Sequence, residues 1–136
     1  MRTVYLAAPL FSEAEHDFNR KLRDEIKYAG FAVFLPQEDS NNVRAENRQK
    51  IIFNKNLAAI EGSDIIVAVI DGTDVDSGTA WEIGYAFAKN KPVIGLRTDF
   101  RTLGIEGVVN LMIERSAILC TSIPELLNRL KLMKTS

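Results

Sequence analysis

Segment 71–86 concentrates the residues of this 136-residue chain that could carry out chemistry. It reads DGTDVDSGTAWEIGYA, with three aspartates before Gly78 and a glutamate, Glu82, after it. We expect a helix to begin near Thr79, which would set Glu82 in its first turn, where the helix dipole favours an ionised carboxylate. An ionised carboxylate at the mouth of a cleft can act as a nucleophile, a general base or a metal ligand.

Structural roles would also explain this composition, because aspartates form turns in glycine-rich loops and acidic residues stabilise helix starts. Two glycines, Gly78 and Gly84, flank Glu82. A glycine inside a helix costs about 1 kcal/mol relative to alanine, so Gly84 predicts a close approach by a ligand or by another part of the chain. The combination favours a functional site over a plain loop.

Few other residues could perform demanding chemistry. The single histidine, His16, lies in a polar stretch and is expected at the surface, while the single cysteine, Cys120, ends an apolar run and is expected to be buried. The chain therefore offers no histidine for the active site of a Ser–His–Asp hydrolase or of a zinc hydrolase. We therefore predict no metal and no organic cofactor, and expect carboxylates and tyrosine to carry the reaction.

Charge and hydropathy narrow the partners and the compartment. The net charge is −1 without a basic block, which argues against binding a nucleic acid polymer but leaves a single nucleoside or nucleotide open. No apolar run approaches the roughly 20 residues of a membrane span, and the N-terminus does not resemble a signal peptide. We expect one domain over residues 1–136, in the cytoplasm.

Short apolar runs alternate with longer amphipathic segments along the chain, which predicts a parallel α/β fold. Strands are expected at 3–8, 31–35, 64–70, 92–96 and 117–120. Helices are expected from Ser12 to near Gly30, over 43–61, 79–89 and 108–113, and from Ser122 onward. The pattern predicts an open, doubly wound sheet of the flavodoxin or Rossmann kind, five-stranded and three layers thick. Its site should lie in the loops 7–12, 37–42 and 71–78, at the carboxyl ends of the strands.

Segment 76–86, DSGTAWEIGYA, closely resembles the signature of the nucleoside 2-deoxyribosyltransferase family, whose relatives include the 2′-deoxynucleoside 5′-phosphate N-hydrolases. The segments YLAAPLF at 5–11, KPV at 91–93 and NLM at 110–112 fall in the order that the family shows. The resemblance implies that Glu82 attacks C1′ of a deoxyribose and expels the base. A second base or water then takes the sugar, as in a retaining glycosidase.

The same resemblance implies roles for three further residues. Tyr5 would orient the nucleophile, although a tyrosine on a strand could also be ordinary core. Asp76, six residues before Glu82, would contact sugar hydroxyls. Asn110 would reach the 5′-OH in the site of a neighbouring subunit, which implies at least a homodimer, although Asn110 could instead cap a helix. The partners would be a small deoxynucleoside and a free nucleobase.

Five more residues are candidates for substrate binding: Asp71, Gly78, Phe11, Trp81 and Gln37. Phe11 and Trp81 could line a base pocket or pack in the core, and Gln37 could meet the edge of the base. A further candidate, Asn56, stands where many family members have an aspartate that handles the base and its proton. An amide can hydrogen-bond a base but cannot protonate it, so Asp76, Asp71 or water remains as the proton donor.

Alternatives remain at this point. The N-hydrolase relatives need serines where this chain has Asp76 and Asn110, and a basic, glycine-rich first loop, so we expect free deoxynucleosides to be the substrates. A response-regulator receiver would need an acidic pair after the first strand, which is missing. A nucleotide-sensing domain without catalysis remains an alternative. The sequence also leaves open whether the sugar is transferred to a base or to water, and whether the enzyme prefers purine or pyrimidine bases.

Overall fold

A computed structural model describes residues 1–40, 43–105 and 107–134 of the chain. Five strands are present: β1 (Thr3–Ala7), β2 (Ala32–Phe34), β3 (Ile65–Val69), β4 (Val93–Leu96) and β5 (Ile118–Cys120). Six helices accompany them among these residues: α1 (Glu13–Tyr28), α2 (Pro36–Asp39), α3 (Arg48–Gly62), α4 (Ser77–Ala88), α5 (Leu111–Ser116) and α6 (Ile123–Lys134).

All neighbouring strands pair in parallel, in the order β2-β1-β3-β4-β5. This is the flavodoxin-like order, so the predicted fold class is confirmed. The order reverses between β1 and β3, and in such sheets the crevice at the carboxyl ends of these two strands is the usual ligand site.

Helices cover both faces of the sheet, and β3 shows how. Alternate side chains of a strand point to opposite faces. Ile65 and Val67 pack in a core cluster with residues of α1 and α6, whereas Ile66 and Ala68 pack in a second cluster with residues of α3, α4 and α5. Burial on both faces explains why the strand is apolar throughout.

Several local predictions differ from the structure. The predicted loop 37–42 begins as helix α2, in which Pro36 takes the first helical position and the Asp39 carboxylate accepts from Leu35 N at 2.7 Å. The end of that predicted loop, 41–42, lies outside the described residues. Helix α5 begins at Leu111 rather than near 108, because the Asn110 side chain caps it and accepts from Met112 N.

The single cysteine and the single histidine are wholly and partly buried, respectively. Cys120 is buried in the core, as expected, and burial raises the pKa of its thiol. His16 lies at the surface, as expected, but is only partly exposed, with Nε2 2.6 Å from the carbonyl oxygen of Leu10. Among the described residues, no helix is long and apolar enough to cross a membrane.

Candidate active site

A pocket of about 590 Å³ opens where the end of β1, the start of α2, the middle of α3 and the start of α4 meet. It therefore lies beside the reversal in strand order between β1 and β3. Its walls are formed by Ala8, Leu10, Phe11, Pro36, Ile52, Phe53, Asn56, Leu57, Ile60, Asp76, Ser77, Gly78, Thr79, Trp81 and Glu82.

Tyr5 and Glu82 are joined at this pocket although 77 positions separate them in the chain. Tyr5 lies on β1, fully buried, with its ring stacked on Phe34 at a centroid distance of 5.6 Å. Its hydroxyl donates a hydrogen bond to Oε2 of Glu82. One carboxylate oxygen is thus held by a rigid strand, and Oε1 is the oxygen that remains for a reacting atom.

The pKa of Glu82 is raised to about 7, chiefly by burial and also by the negative charge of Asp76, while the hydrogen bond from Tyr5 opposes both. The expectation of a carboxylate held ionised in the first helical turn is wrong. Helix α4 begins at Ser77, so Glu82 is its sixth residue and lies in the second turn, beyond the reach of the terminal N–H groups.

The pKa of Tyr5 is also raised, chiefly by burial and then by the charge of Glu82 and the hydrogen bond to it. Its hydroxyl therefore stays protonated and remains a hydrogen-bond donor at any pH at which the protein works.

Asp76 takes the position at the head of α4 that was expected of Glu82. It is the N-cap residue, and its Oδ2 accepts from both the backbone N and the Oγ1 of Thr79, each at 3.0 Å. Asp76 also lines the pocket, and its charge acts on Glu82. The two carboxylates therefore form a pair in one wall of the pocket.

The two glycines that flank Glu82 do not mark the close approach of another part of the chain that the sequence suggested. A Cβ built on Gly78 would lie 3.5 Å from Asp76 Oδ2, which is an ordinary contact, and one built on Gly84 would meet nothing within 4 Å. The expected close approach at Gly84 is therefore absent among the described residues. Gly78 does line the pocket, at the first turn of α4.

Three aromatic side chains also line the pocket. Phe11 is 78% exposed, and Phe53 and Trp81 are each half-exposed. The Trp81 ring meets Phe53 edge to face at 5.7 Å and stacks on Tyr85 at 5.4 Å. Flat, solvent-facing rings of this kind can stack against a planar heteroaromatic ligand.

Asn56, on α3, also lines the pocket. Its Oδ1 is buried and has no hydrogen-bond partner among the described residues. Leaving a buried acceptor unpaired costs about 1–3 kcal/mol, which makes Asn56 a strained point in the wall.

Three residues predicted for the site are engaged elsewhere. The amide of Gln37 accepts from Asn19 Nδ2 at 2.9 Å and donates to the carbonyl of His16 at 3.1 Å. The Asp71 carboxylate accepts from Thr98 N and Oγ1 and from Asp99 N, which ties the loop after β3 to the loop after β4.

The third, Asn110, caps α5 and does not line the pocket of its own chain. A role for Asn110 in the site of another subunit stays a prediction, as do substrate contacts by Gln37 and Asp71.

The sequence analysis missed several residues of the pocket. Thr79 stands three positions after Asp76, at the spacing of a capping contact, which could have identified it. Phe53 precedes Asn56 by three positions and so shares its helical face. Pro36, which lines the pocket, gave no signal in the sequence, and neither did Asn19, a buried residue outside the pocket lining whose amide donates to the carbonyl of Pro9.

The charged side chains that line the pocket are acidic. Its charged lining groups, within the described ranges, are the two carboxylates Asp76 and Glu82, and no lysine, arginine or histidine is among them. Such a pocket favours a neutral ligand with hydroxyl donors over an anion.

Comparison with known proteins identifies one family for this chain. A search among curated proteins finds no significant match. The family model described as nucleoside 2-deoxyribosyltransferase matches residues 4–119. Among solved structures, the chain is similar to a conserved protein from Enterococcus faecalis V583, with 28% identity, a TM-score of 0.81 and coverage of 98% of this chain and 99% of that one.

Two further solved structures are similar. One is the 2-deoxyribosyltransferase of Bacillus psychrosaccharolyticus, with 26% identity, a TM-score of 0.82 and coverage of 93% of this chain and 90% of that one. The other is a 2-desoxiribosyltransferase from Leishmania mexicana, which shares the fold at 23% identity with a TM-score of 0.77, over 96% of this chain and 98% of that one.

Proposed function

This chain belongs to the nucleoside 2-deoxyribosyltransferase family, a family of enzymes that transfer or hydrolyse glycosyl groups, and from that premise we propose that it acts on free 2′-deoxynucleosides. In the proposed reaction, deoxyribose passes from one nucleobase to Glu82 and then to a second nucleobase or to water. The observation that carries the proposal is the hydrogen bond from the buried Tyr5 hydroxyl to Glu82 in the wall of the pocket.

The first step breaks one bond and forms one. The ionised Oε1 of Glu82 bonds to C1′ as the C1′–N bond breaks, and the base leaves with the bonding electron pair. The transition state resembles an oxocarbenium ion, so the negative charges of Glu82 and Asp76 stabilise it. In the second step, a nitrogen of the incoming base, or a water oxygen, bonds to C1′ as the C1′–Oε1 bond breaks, which restores the Glu82 carboxylate, and the incoming group loses its proton to water.

The departing base must also receive a proton. Asp71 is a poor donor, because its carboxylate already accepts three hydrogen bonds from Thr98 and Asp99. Asn56 can hold the base but carries no acidic proton. Water remains as the source, because Asp76 acts in this scheme as an ionised carboxylate beside Glu82.

The charge of the pocket supports free nucleosides over 5′-monophosphates. A phosphate would meet two carboxylates and no cationic side chain among the described lining residues. A free 5′-OH, by contrast, can donate a hydrogen bond to a carboxylate. We therefore expect deoxyadenosine and deoxyinosine to react much faster than dAMP and dGMP, and faster cleavage of the monophosphates would contradict the proposed substrate class.

A base-exchange assay tests the activity. Deoxyinosine incubated with adenine should yield deoxyadenosine, and deoxyinosine alone should yield hypoxanthine if water is an acceptor. Glu82→Gln should lower the rate at least 1000-fold, because the nucleophile is lost. The matched control is Glu61→Gln, since Glu61 accepts a hydrogen bond from Tyr85 on the exposed side of α4 and should keep the wild-type rate.

A covalent trap tests the intermediate directly. Incubation with a 2′-fluoro-arabino nucleoside should add the fluorinated sugar to the protein, and peptide mass spectrometry should find it on Glu82. A protein that exchanges bases without forming this adduct would refute Glu82 as the nucleophile. A protein that binds deoxynucleosides but neither exchanges nor hydrolyses them would be a sensing domain rather than an enzyme.

A further inference from the structure

Thr79 is a buried polar residue that the reaction above does not use. Its side chain is 1% exposed, in the first turn of α4. Its backbone N and its Oγ1 both donate to one atom, Asp76 Oδ2, at 3.0 Å each. A helix N-cap requires only the backbone donor, so the hydroxyl contact is additional to capping.

The two donors restrict the orientation of Asp76. Rotation of the side chain about its Cα–Cβ bond, which changes χ1, or about its Cβ–Cγ bond would move Oδ2 away from both donors at once, so both torsions are restricted. Oδ1 accepts no hydrogen bond from the described residues and is the oxygen left for a ligand. Asp76 and Glu82 line the same pocket, so a ligand held by Oδ1 would lie near the proposed nucleophile.

We propose that Thr79 is a positioning residue, which holds Asp76 so that its Oδ1 accepts a hydrogen bond from a hydroxyl of the sugar. Thr79 acts through Asp76 and touches no reacting atom. The identity of the ligand rests on the proposed function, whereas the restriction of Asp76 by Thr79 does not.

Two variants isolate the hydroxyl. Thr79→Val has nearly the same shape and keeps the backbone donor but lacks Oγ1, and Thr79→Ser keeps the hydroxyl. With deoxyadenosine as the donor substrate, Thr79→Val should lower kcat/KM about tenfold, because a hydrogen bond to a charged group contributes about this much. Thr79→Ser should stay within about threefold of the wild type. Circular dichroism establishes that each variant is folded.

A double-mutant cycle separates positioning from a general structural effect. In an Asp76→Ala background, Thr79→Val should cost no more than about twofold in kcat/KM, because the group that it positions is gone. A tenfold loss in both backgrounds would overturn the proposal, as would Thr79→Val at the wild-type rate or Thr79→Ser as impaired as Thr79→Val.

A measurement without substrate keeps this inference separate from the proposed function. Three-bond NMR couplings to the Asp76 β-protons should report one χ1 rotamer in the wild type and in Thr79→Ser, and averaging over rotamers in Thr79→Val. Unchanged couplings in Thr79→Val would overturn the positioning role, even in an active enzyme. A wild type without glycosidic activity would reject the proposed function, while couplings that respond would still support the hold of Thr79 on Asp76.

Discussion

At the scale of the residue, the central feature is an asymmetric pair of carboxylates. Asp76 accepts hydrogen bonds at the N-terminus of α4, whereas Glu82 lies in the second turn of that helix, where burial and the Asp76 charge raise its pKa. The sequence identified both residues and their partner Tyr5. It could not give the direction of the Glu82 pKa, because that depends on where α4 begins and on the burial that the other elements impose.

The pH dependence of the reaction follows from this pair. Glu82 reacts when ionised, so kcat/KM should rise with pH through an acidic limb near pH 7. Tyr5→Phe removes a hydrogen bond that lowers the Glu82 pKa, so the limb should move to higher pH. Asp76→Asn removes a charge that raises it, so the limb should move to lower pH. Tyr85→Phe, which breaks the other tyrosine–glutamate bond, is the control and should leave the limb in place. Limbs that move together would contradict these assignments.

The raised pKa of Glu82 also predicts that replacing this residue makes the folded protein more stable at high pH. The folded protein binds the Glu82 proton more tightly than the unfolded chain, so the free energy of unfolding falls as pH rises from about 4.5 to about 7. Glu82→Gln removes this loss and should raise the free energy of unfolding by about 1–3 kcal/mol at pH 8, with little change at pH 4. Urea denaturation at both pH values measures it, and equal effects at pH 4 and pH 8 would exclude the ionisation as the cause.

At the scale of the element, all five strands were predictable because apolar runs bounded by turn residues identify them. Helix α2 was missed, since a single turn that begins with Pro36 has no apolar periodicity. The hydrogen bonds of Gln37 were also beyond the sequence, because they depend on how α1 and α2 pack. Together with Asn19, Gln37 ties α2 to the loop after β1, and both of these elements contribute to the pocket wall.

This tie between elements predicts how its members behave on mutation. Asn19→Ala leaves the carbonyl of Pro9 and the amide of Gln37 without their buried donor, so the free energy of unfolding should fall by about 1–3 kcal/mol and KM should rise. Gln37→Ala should add little to that variant, because the two residues act together. Asn128→Ala, on the exposed side of α6, is the matched control. A changed base preference in Gln37→Ala alone would instead support a direct contact with the base.

At the scale of the whole molecule, the strand order determines which loops meet. The alternation of strands and helices predicted a doubly wound parallel sheet but left the flavodoxin and Rossmann strand orders open. The association of copies of the chain depends instead on which apolar side chains the fold leaves exposed. Apolar side chains of the loop after β4 and the start of α5 are exposed in the single chain: Phe100, Leu103, Ile105, Leu111 and Met112. They flank Asn110, and burial of such a surface in a second copy would stabilise a dimer.

We propose that two copies associate through this surface and that Asn110 of each completes the site of the other. Glu82→Gln and Asn110→Ala should each be nearly inactive alone. When the two are mixed and allowed to exchange subunits, roughly a quarter of the wild-type sites should recover, since half of the dimers are mixed and each holds one intact site. Light scattering gives the mass, and no recovery in a proven mixed dimer would exclude a shared site.

The enclosed thiol of Cys120 has a practical consequence. The chain has no other cysteine, and this one is sealed in the core with a raised pKa, so alkylating reagents should not reach it in the folded protein. A cysteine introduced in place of Tyr28, which is 95% exposed and is not part of the proposed interface, would then be the only reactive thiol on the native chain. Fluorophores or spin labels could be attached there without first removing a natural cysteine, and subunit exchange could be followed by energy transfer in real time.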